Sequence, residues 1–433
     1  MKLRIRQAIY IVLAIAAFSL LIYVVTNSQS PESLMNPPEA AGDYKDIQNV
    51  IEKTADNGII LKAPNEGEYT TAITFMDLNG DNENDAVAFY RIKNDDTSSI
   101  YMSVLLKNGN KWQASEPIKG QGNDILEFSY GDLDFDSVPE IVVGWNMFDS
   151  KDNNTLSVYS VTDKSGVTGI KQCDSLIYTK MYVADVCNEG RQEILLIKNT
   201  YNDESIPAGA DVYELEDGTL KSIGSTELSA SVSLYKQFQM QPVGNMNVFF
   251  LDGVVNNTDM ITEILYWDKE NGKLENPTYT SQVSDFNTYR AGTVPATDIN
   301  ADGVLEIPVS EVSDDSEFIP VTEWQQFDFS KYIDIAQGVC TDDLIFNFPA
   351  NWEGNIGVIQ KGKVWSFYDI SSGEREKLFD LIVCDLSEWQ SLKDKYDQLT
   401  IHYGTIYGVK LSETDSKLAL SKNEIQKCII NIR

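Results

Sequence analysis

An acidic nine-residue loop that runs directly into an apolar segment recurs along this chain, and it constrains the fold more than any other feature. Three complete copies carry oxygen-bearing side chains at positions 1, 3, 5 and 9. Those side chains are Asp77, Asn79, Asp81 and Asp85; Asp132, Asp134, Asp136 and Glu140; and Asp298, Asn300, Asp302 and Glu306. The apolar segments that follow are residues 86–90, 141–145 and 307–309. The pattern predicts a polar loop that leads into a β-strand, used repeatedly.

Two weaker copies lie between the second and third complete ones. One begins at Asp185 and has Cys187 at position 3, and the other begins at Asp252 and is stretched as far as Glu263. The first acids of the five copies are 55, 53, 67 and 46 residues apart. A period near 50 indicates a repeat architecture, and a four-stranded propeller blade uses about 40–50 residues. We therefore predict a mainly β protein with a β-propeller over residues 56–340, containing five detectable repeats and possible further blades.

Calcium explains the choice of residue types in the complete loops. Ca²⁺ binds about six to eight oxygens, and alternate residues of a tight loop turn their carboxylates toward one centre. An EF-hand closes its ligand set at about position 12 between two helices, whereas these loops close at position 9 and enter a strand. The alternative is an Asp/Asn-rich turn whose side chains cap its own backbone. We predict up to three structural Ca²⁺ sites in the complete loops and capped turns at the weaker copies.

The loops resemble the FG-GAP and VCBS-type repeats of integrin-alpha-like propellers, whose signature is Asp-x-Asp-x-Asp-Gly followed by an apolar strand. The resemblance covers residues 57–337 and is good at the loops that begin at Asp77, Asp132 and Asp298. It is poor at Asp185 and Asp252, and the Phe-Gly and Gly-Ala-Pro signatures are not clearly present. Many bacterial cell-surface proteins carry such repeats, so the resemblance implies an extracellular propeller of bacterial type.

The N-terminal segment has the pattern of a membrane anchor. Residues 8–25 are apolar apart from Ser19, and Lys2, Arg4 and Arg6 precede them. A spanning helix needs about 20 such residues, and basic residues before the span place the N-terminus in the cytoplasm. We predict a signal-anchor over residues 1–26, a stalk and short helix over 27–55, and an extracytoplasmic remainder. The alternative, a cleaved signal peptide, usually has a shorter apolar region of about 7–15 residues.

The pattern changes after residue 340. Residues 341–433 contain predicted strands at 344–348, 356–360, 364–368, 378–384 and 401–409. Helical spacing of apolar residues occurs at 386–399 and 422–430. These segments predict a small α+β domain after the propeller.

Several kinds of chemistry are disfavoured by composition. The net charge of −32 repels nucleic acid and anionic lipid and favours divalent cations or basic partners. His402 is the only histidine, so histidine-dependent nucleophilic or zinc catalysis has too few residues. With 66 acidic residues, a carboxylate pair for glycoside cleavage is neither indicated nor excluded. Five cysteines without a CxxC motif favour buried free thiols, with one long-range disulfide as the alternative.

These observations predict a non-enzymatic, membrane-anchored binding or scaffold protein at the cell surface. The expected partner is a protein or glycan of the cell envelope, and nucleic acid is not expected. The alternative is an exported polysaccharide hydrolase or lyase that uses carboxylate or tyrosine residues on the propeller.

Overall fold

The computed structural model describes residues 42–54, 58–93, 97, 99–147, 154–164, 167–199, 207–280, 282, 286–310, 317–329 and 331–430. The predicted membrane anchor and most of the stalk lie outside these residues. In the described part of the chain, no helix has both the length and the apolar character needed to cross a membrane.

The described chain is mainly β, as predicted, and its strands form six antiparallel sheets. The first sheet contains β1 Ile59–Leu61, β2 Ile73–Met76, β3 Asp85–Ile92, β4 Tyr101–Asn108, β5 Lys111–Ala114 and β6 Ile118–Lys119. The second contains β7 Asp124–Gly131, β8 Glu140–Asn146, β9 Asn154–Lys164 and β10 Val167–Tyr178. The third contains β11 Lys180–Ala184, β12 Glu193–Lys198, β13 Gly209–Glu216 and β14 Thr219–Glu227.

The remaining sheets follow in chain order. The fourth contains β15 Leu234–Val243, β16 Met246–Val255, β17 Asp259–Asp268, β18 Lys273–Glu275 and β19 Arg290–Ala291. The fifth contains β20 Glu306–Ser310, β21 Thr322–Asp328, β22 Lys331–Cys340, β23 Ile345–Asn347 and, from the end of the chain, β29 Ile429–Ile430. The sixth contains β24 Ile356–Lys361, β25 Val364–Asp369, β26 Glu376–Asp385, β27 Asp397–His402 and β28 Thr405–Leu411.

Each sheet packs against the next one along the chain. The second and third sheets are four-stranded meanders, and a buried cluster containing Val142 and Leu196 joins them. Similar clusters join the first sheet to the second, the third to the fourth, the fourth to the fifth and the fifth to the sixth. Four-stranded antiparallel meanders packed face to face in sequence are consistent with a β-propeller.

The strand that follows each acidic loop is buried on both faces because it lies between two neighbouring sheets. In β8 and β12 all but the last residue are buried, and β3 is buried over its first six residues. A strand covered on both faces needs apolar residues at successive positions, which removes the usual alternation. This is the physical origin of the apolar segments that mark the repeats in the sequence.

In the part of the chain that the structure describes, three α-helices flank the sheets: α1 Asp43–Thr54, α2 Leu386–Leu392 and α3 Lys422–Cys428. The short helix predicted in the stalk is α1, and it buries Ile47 and Ile51 against the first sheet. Both α2 and α3 begin with a capping box, formed by Asp385 with Glu388 and by Ser421 with Glu424.

The helix predicted over residues 386–399 is wrong in its second half, because α2 ends at Leu392 and Asp397 begins β27. Trp389, Leu392 and Tyr396 still pack in one cluster. Their spacing therefore reflects a shared apolar contact surface and not a continuous helix. The helix predicted over 422–430 is also too long, since Ile429 pairs with Phe346 of the fifth sheet. The strand predicted over 401–409 is the turn and second strand of the β27–β28 hairpin.

A buried ion pair lies inside the fourth sheet, and its hydrogen bonds extend to the segment that precedes the fifth. Asp252 in β16 and Arg290 in β19 are 0% and 2% exposed, and the Arg290 Nη2 to Asp252 Oδ1 distance is 2.7 Å. Thr262 Oγ1 and Ala296 N also donate to Asp252. The Arg290 guanidinium also donates to Val294 O and Thr288 O. Both charges are therefore compensated by a closed hydrogen-bond network.

Replacing Arg290 with Met should destabilise the protein strongly, because Asp252 would remain buried without its counter-charge. We expect the free energy of unfolding in urea to fall by about 3–5 kcal/mol. The matched control is Lys363→Met, which breaks the exposed Lys363–Glu388 pair and should lower the free energy of unfolding far less, because solvent screens that pair. Equal losses for the two variants would contradict the assigned role of Arg290.

Candidate metal-binding loops

The acidic loops lie side by side at one end of the stacked sheets. The first loop joins β2 to β3, the second joins β7 to β8, the third joins β11 to β12, and the loop at Asp298 leads into β20. Asp132 N donates to Gln192 Oε1 of the third loop at 3.1 Å, and Asn247 N of the fourth sheet donates to Asn188 Oδ1 at 2.7 Å. Leu305 N donates to Gln241 Oε1 at 2.7 Å. These contacts form a continuous row from the second loop to the fifth.

One hydrogen bond is common to four of the loops: the carboxylate at position 9 accepts from the backbone N–H at position 2. The pairs are Leu78 N to Asp85 at 3.0 Å, Leu133 N to Glu140 at 3.1 Å, Val186 N to Glu193 at 2.9 Å and Ile299 N to Glu306 at 2.9 Å. All four carboxylates are buried. This hydrogen bond holds the start of each loop close to the start of the strand that follows it.

The aspartate at position 1 closes the other side of the loop. Asp132 accepts from Asp136 N and Ser137 N, both at 3.0 Å. Asp298 accepts from Asp302 N at 3.1 Å and from Gly303 N at 2.8 Å. Each aspartate thus caps the backbone of its own loop, which the sequence offered as the alternative to metal binding. The two are compatible, since each carboxylate oxygen has more than one lone pair.

Two loops bring three carboxylates together. Within the described residues, Asp132, Asp134 and Asp136 each place an oxygen within 4.8 Å of the others. Asp298, Asp302 and Glu306 form a second such set. Asn300 lies beside the second set, because its Nδ2 donates to Asp302 Oδ2 at 2.9 Å.

The carboxylates of the second loop are crowded as well as partly buried. Burial and the neighbouring Asp136 raise the pKa of Asp134. Burial raises the pKa of Glu140 to about 7, against hydrogen bonds from Leu133 N and Ser160 that lower it. A divalent cation would relieve this repulsion, and its oxygen preference matches the donor set.

The first loop has the predicted residues in a different arrangement. Asn79 Nδ2 donates to Asp81 Oδ2 at 3.1 Å, as Asn300 Nδ2 does to Asp302 Oδ2 in the fifth loop. Asp85 accepts from Lys107 N at 2.8 Å in addition to Leu78 N, and burial raises its pKa to about 6. In the described part of the chain, Asp77, Asp81 and Asp85 do not form a three-carboxylate set of the kind seen in the second and fifth loops.

The third loop has a guanidinium beside its buried acid. Arg191 at position 7 pairs with Glu193 at 3.5 Å and also with Glu214. Cys187, at the position where the complete loops have an oxygen ligand, is buried and donates its backbone N–H to Glu193 at 3.1 Å. This loop keeps the hydrogen bond from position 2 to position 9, and the guanidinium of Arg191 supplies a positive charge beside the buried carboxylate of Glu193.

The weak repeat copy predicted to begin at Asp252 is not a loop of this kind. Asp252 lies inside β16 and Glu263 inside β17, and the turn between these strands is formed by Asn256 and Asn257 with φ of 52° and 66°. The hairpin loop has three residues, 256–258, because Val255 pairs with Asp259, and both acids therefore fall on strands. Arg290, the partner of Asp252, could not be identified from the sequence, because a single arginine in a polar segment carries no recognisable signal.

Position 4 of each loop requires a left-handed backbone. The residues there are Gly80, Phe135, Asn188 and Ala301, with φ between 57° and 78°. Glycine and asparagine tolerate this conformation, whereas a bulky side chain is strained in it. Phe135 is also 66% exposed, so packing does not compensate the strain.

Comparison with known proteins gives a likeness in fold only. No protein-family model matches the chain, and no curated protein matches it. Among solved structures, a protein from Lactobacillus plantarum is similar with 12% identity, a TM-score of 0.32 and coverage of 68% of this chain and 81% of that one. Saccharomyces cerevisiae Sqt1 is similar with 9% identity, a TM-score of 0.33 and coverage of 81% and 86%. Because these identities and TM-scores are low, the fold is described from the sheet topology of this chain.

Replacing Phe135 with Gly should stabilise the protein, because glycine removes the strain of a left-handed phenylalanine. We expect the free energy of unfolding in urea to rise by about 1 kcal/mol. The reverse change at the matched position, Gly80→Ala, should lower it by about 1 kcal/mol, since an added Cβ lies at an ordinary 3.7 Å from Val138 and meets only the φ penalty. Destabilisation by Phe135→Gly would show that this ring makes a stabilising contact.

The free energy of unfolding should fall as pH rises from about 4.5 to about 7, because of the buried side chain of Glu263. Burial raises its pKa from 4.5 to about 7, although Ser229 N and Tyr235 Oη donate to it. The folded state therefore holds a proton that the unfolded state has released, and this contribution is full below pH 4.5 and is lost by about pH 7. Glu263→Gln should remove about 3 kcal/mol of pH-dependent change in urea unfolding.

The control for this prediction is Glu270→Gln, which removes one negative charge from an exposed hairpin. It should leave the slope of stability against pH nearly unchanged. If both variants flatten the slope equally, general charge repulsion and not the buried Glu263 is responsible.

Proposed function

We propose that this chain is a membrane-anchored, extracytoplasmic binding or scaffold protein whose propeller is stabilised by Ca²⁺ in its acidic loops. The observation that carries the calcium part is the convergence of carboxylate oxygens in the second and fifth loops. The FG-GAP and VCBS-type resemblance of the same loops agrees with it, because those repeats use this loop pattern.

The role proposed for the metal is structural. Each acidic loop is tied to the next sheet element by the buried acid at position 9, so a cation bound beside it would stiffen the connection between two strands. For an affinity near ~10⁻⁴ M and millimolar Ca²⁺, each site would contribute about 1.4 kcal/mol. That contribution is small beside the buried sheet interfaces but comparable with the strain of one backbone position.

The proposed partner is a protein or glycan of the cell envelope. The net charge of −32 supports a partner that is basic or that interacts through bound cations. The residue pattern of 8–25 supports anchoring to the membrane with the sheets on the extracytoplasmic side.

Addition of Ca²⁺ to chelator-treated protein should raise its melting temperature and give saturable heat in isothermal titration. Asp134→Asn and Asp302→Asn should each remove one site, because each takes a charged ligand from a three-carboxylate set. The matched control is Glu189→Gln in the third loop, where Arg191 already supplies positive charge. No heat and no melting shift would overturn the calcium proposal.

Partner binding is tested by capture from envelope extract. The full-length chain should retain a defined envelope component, and the Asp134→Asn, Asp302→Asn double variant should retain less of it if the loops stabilise the binding surface. Captured material can be divided by protease and glycosidase treatment, which distinguishes a protein from a glycan. Failure to retain any component in the presence of Ca²⁺ would contradict the binding function.

A polysaccharide hydrolase or lyase is the second candidate, and one observation favours it. Glu127 lines a cavity, accepts a hydrogen bond from Tyr178 Oη at 2.8 Å, and has a pKa raised by burial to about 7. A carboxyl group with such a pKa suits general acid catalysis. Release of reducing or unsaturated ends from envelope polysaccharide, abolished by Glu127→Gln, would favour this function over simple binding.

A further inference from the structure

A cavity lies where the first strands of three consecutive sheets approach one another. It has a volume of about 360 Å³ and is lined by β7, β11 and β15 together with the segment around Glu66. Its size is within the range of small-ligand sites. The cavity is separate from the acidic loops, none of whose predicted ligands lines it.

The cations that line the cavity are engaged by neighbouring groups of the chain. Lys180 Nζ pairs with Glu66 Oε1 at 2.7 Å. Lys236 Nζ donates to the backbone oxygen of Thr293 at 2.6 Å. Glu127 accepts only a neutral donor among the hydrogen bonds described for it, the Tyr178 hydroxyl. Within the described residues Glu127 forms no ion pair, although the charge of nearby Lys180 lowers its pKa against the larger effect of burial.

The position of Glu127 is built into the fold. Tyr178, at the end of β10, passes over Gly144 of β8 to reach it, and a Cβ added at Gly144 would lie 1.9 Å from Tyr178 Oη. Only glycine at 144 therefore allows this hydrogen bond. The carboxyl group is held in one orientation beside the cavity, which is the arrangement of a recognition group and not of a mobile surface acid.

Aromatic rings form another part of the wall. Tyr182 and Phe238 meet edge to face with ring centroids 5.3 Å apart, and Tyr182 also packs on Phe249 at 5.6 Å. Both residues are half-buried, and both line the cavity. Aromatic faces attract organic cations and also cover an alkyl stem.

We propose that this cavity binds a primary ammonium group on an unbranched alkyl stem, such as the side chain of a lysine in a partner polypeptide. Glu127 pairs with the ammonium group, and Tyr182 and Phe238 cover the stem. This inference rests on the proposed binding function and specifies its partner as a basic polypeptide, which agrees with the net charge of −32.

The test is isothermal titration of the full-length chain, in Ca²⁺ at pH 7.5, with Nα-acetyl-lysine N-methylamide. The norleucine analogue has a similar stem without the ammonium group and should bind about tenfold more weakly. Glucosamine is the third ligand, and it should also bind more weakly than the lysine derivative. Equal binding of the lysine and norleucine derivatives, no binding of the lysine derivative, or tighter binding of glucosamine overturns the proposal.

Variants identify the residues responsible. Glu127→Gln should weaken binding of the lysine derivative by about tenfold and make it similar to that of the norleucine analogue. Tyr182→Leu should weaken both derivatives, because it removes ring area that the stem contacts. Glu263→Gln, a buried carboxyl change in the fourth sheet outside the cavity, should leave binding unchanged. Unchanged binding by both Glu127→Gln and Tyr182→Leu overturns the assignment to this cavity.

This experiment is independent of the test of the proposed function. Capture of an envelope component can succeed while the lysine derivative fails to bind, which would leave the scaffold function intact and reject this site. Binding of the lysine derivative without capture from extract would support this site and contradict the proposed scaffold function.

Discussion

The hydrogen bond from a backbone N–H at position 2 to a buried carboxylate at position 9 is the interaction on which the repeated loops depend. It is present in the first, second, third and fifth loops with closely similar distances. A buried carboxylate is costly unless its oxygens are satisfied. The requirement for this acid at the start of a doubly covered strand explains why the acidic loop and the apolar segment always occur together.

The loops differ in how they meet the electrostatic cost of that acid. The second and fifth loops gather three carboxylates, an arrangement that suits a divalent cation. The third uses Arg191, while the fourth sheet has no such loop and places Arg290 against Asp252 in its interior. A guanidinium from the chain compensates the buried acid of the third loop, whereas the second and fifth loops would need a bound cation for the same effect.

The sequence predicted the strands that follow the loops, the helix α1 and most strands after residue 340. These elements are specified locally, by apolar runs, caps and turn residues. The predictions failed where a local sequence pattern arose from contacts with residues far away in the chain. Tyr396 has helical spacing from Leu392 but follows the end of α2, because the chain turns back there to pair β27 with β28. Asp252 looked like a loop acid because its partner Arg290 is 38 residues away.

The sequence by itself determined the mainly β class, the period of the repeats and the residues of the acidic loops, since all of these follow from short-range patterns of polarity. Only the tertiary structure decided which carboxylates converge and which acid is neutralised by an arginine. It alone assembled the cavity around Glu127 from three sheets. The physical reason is that convergence and charge compensation depend on strand register and sheet packing, which bring together residues that are far apart in the chain.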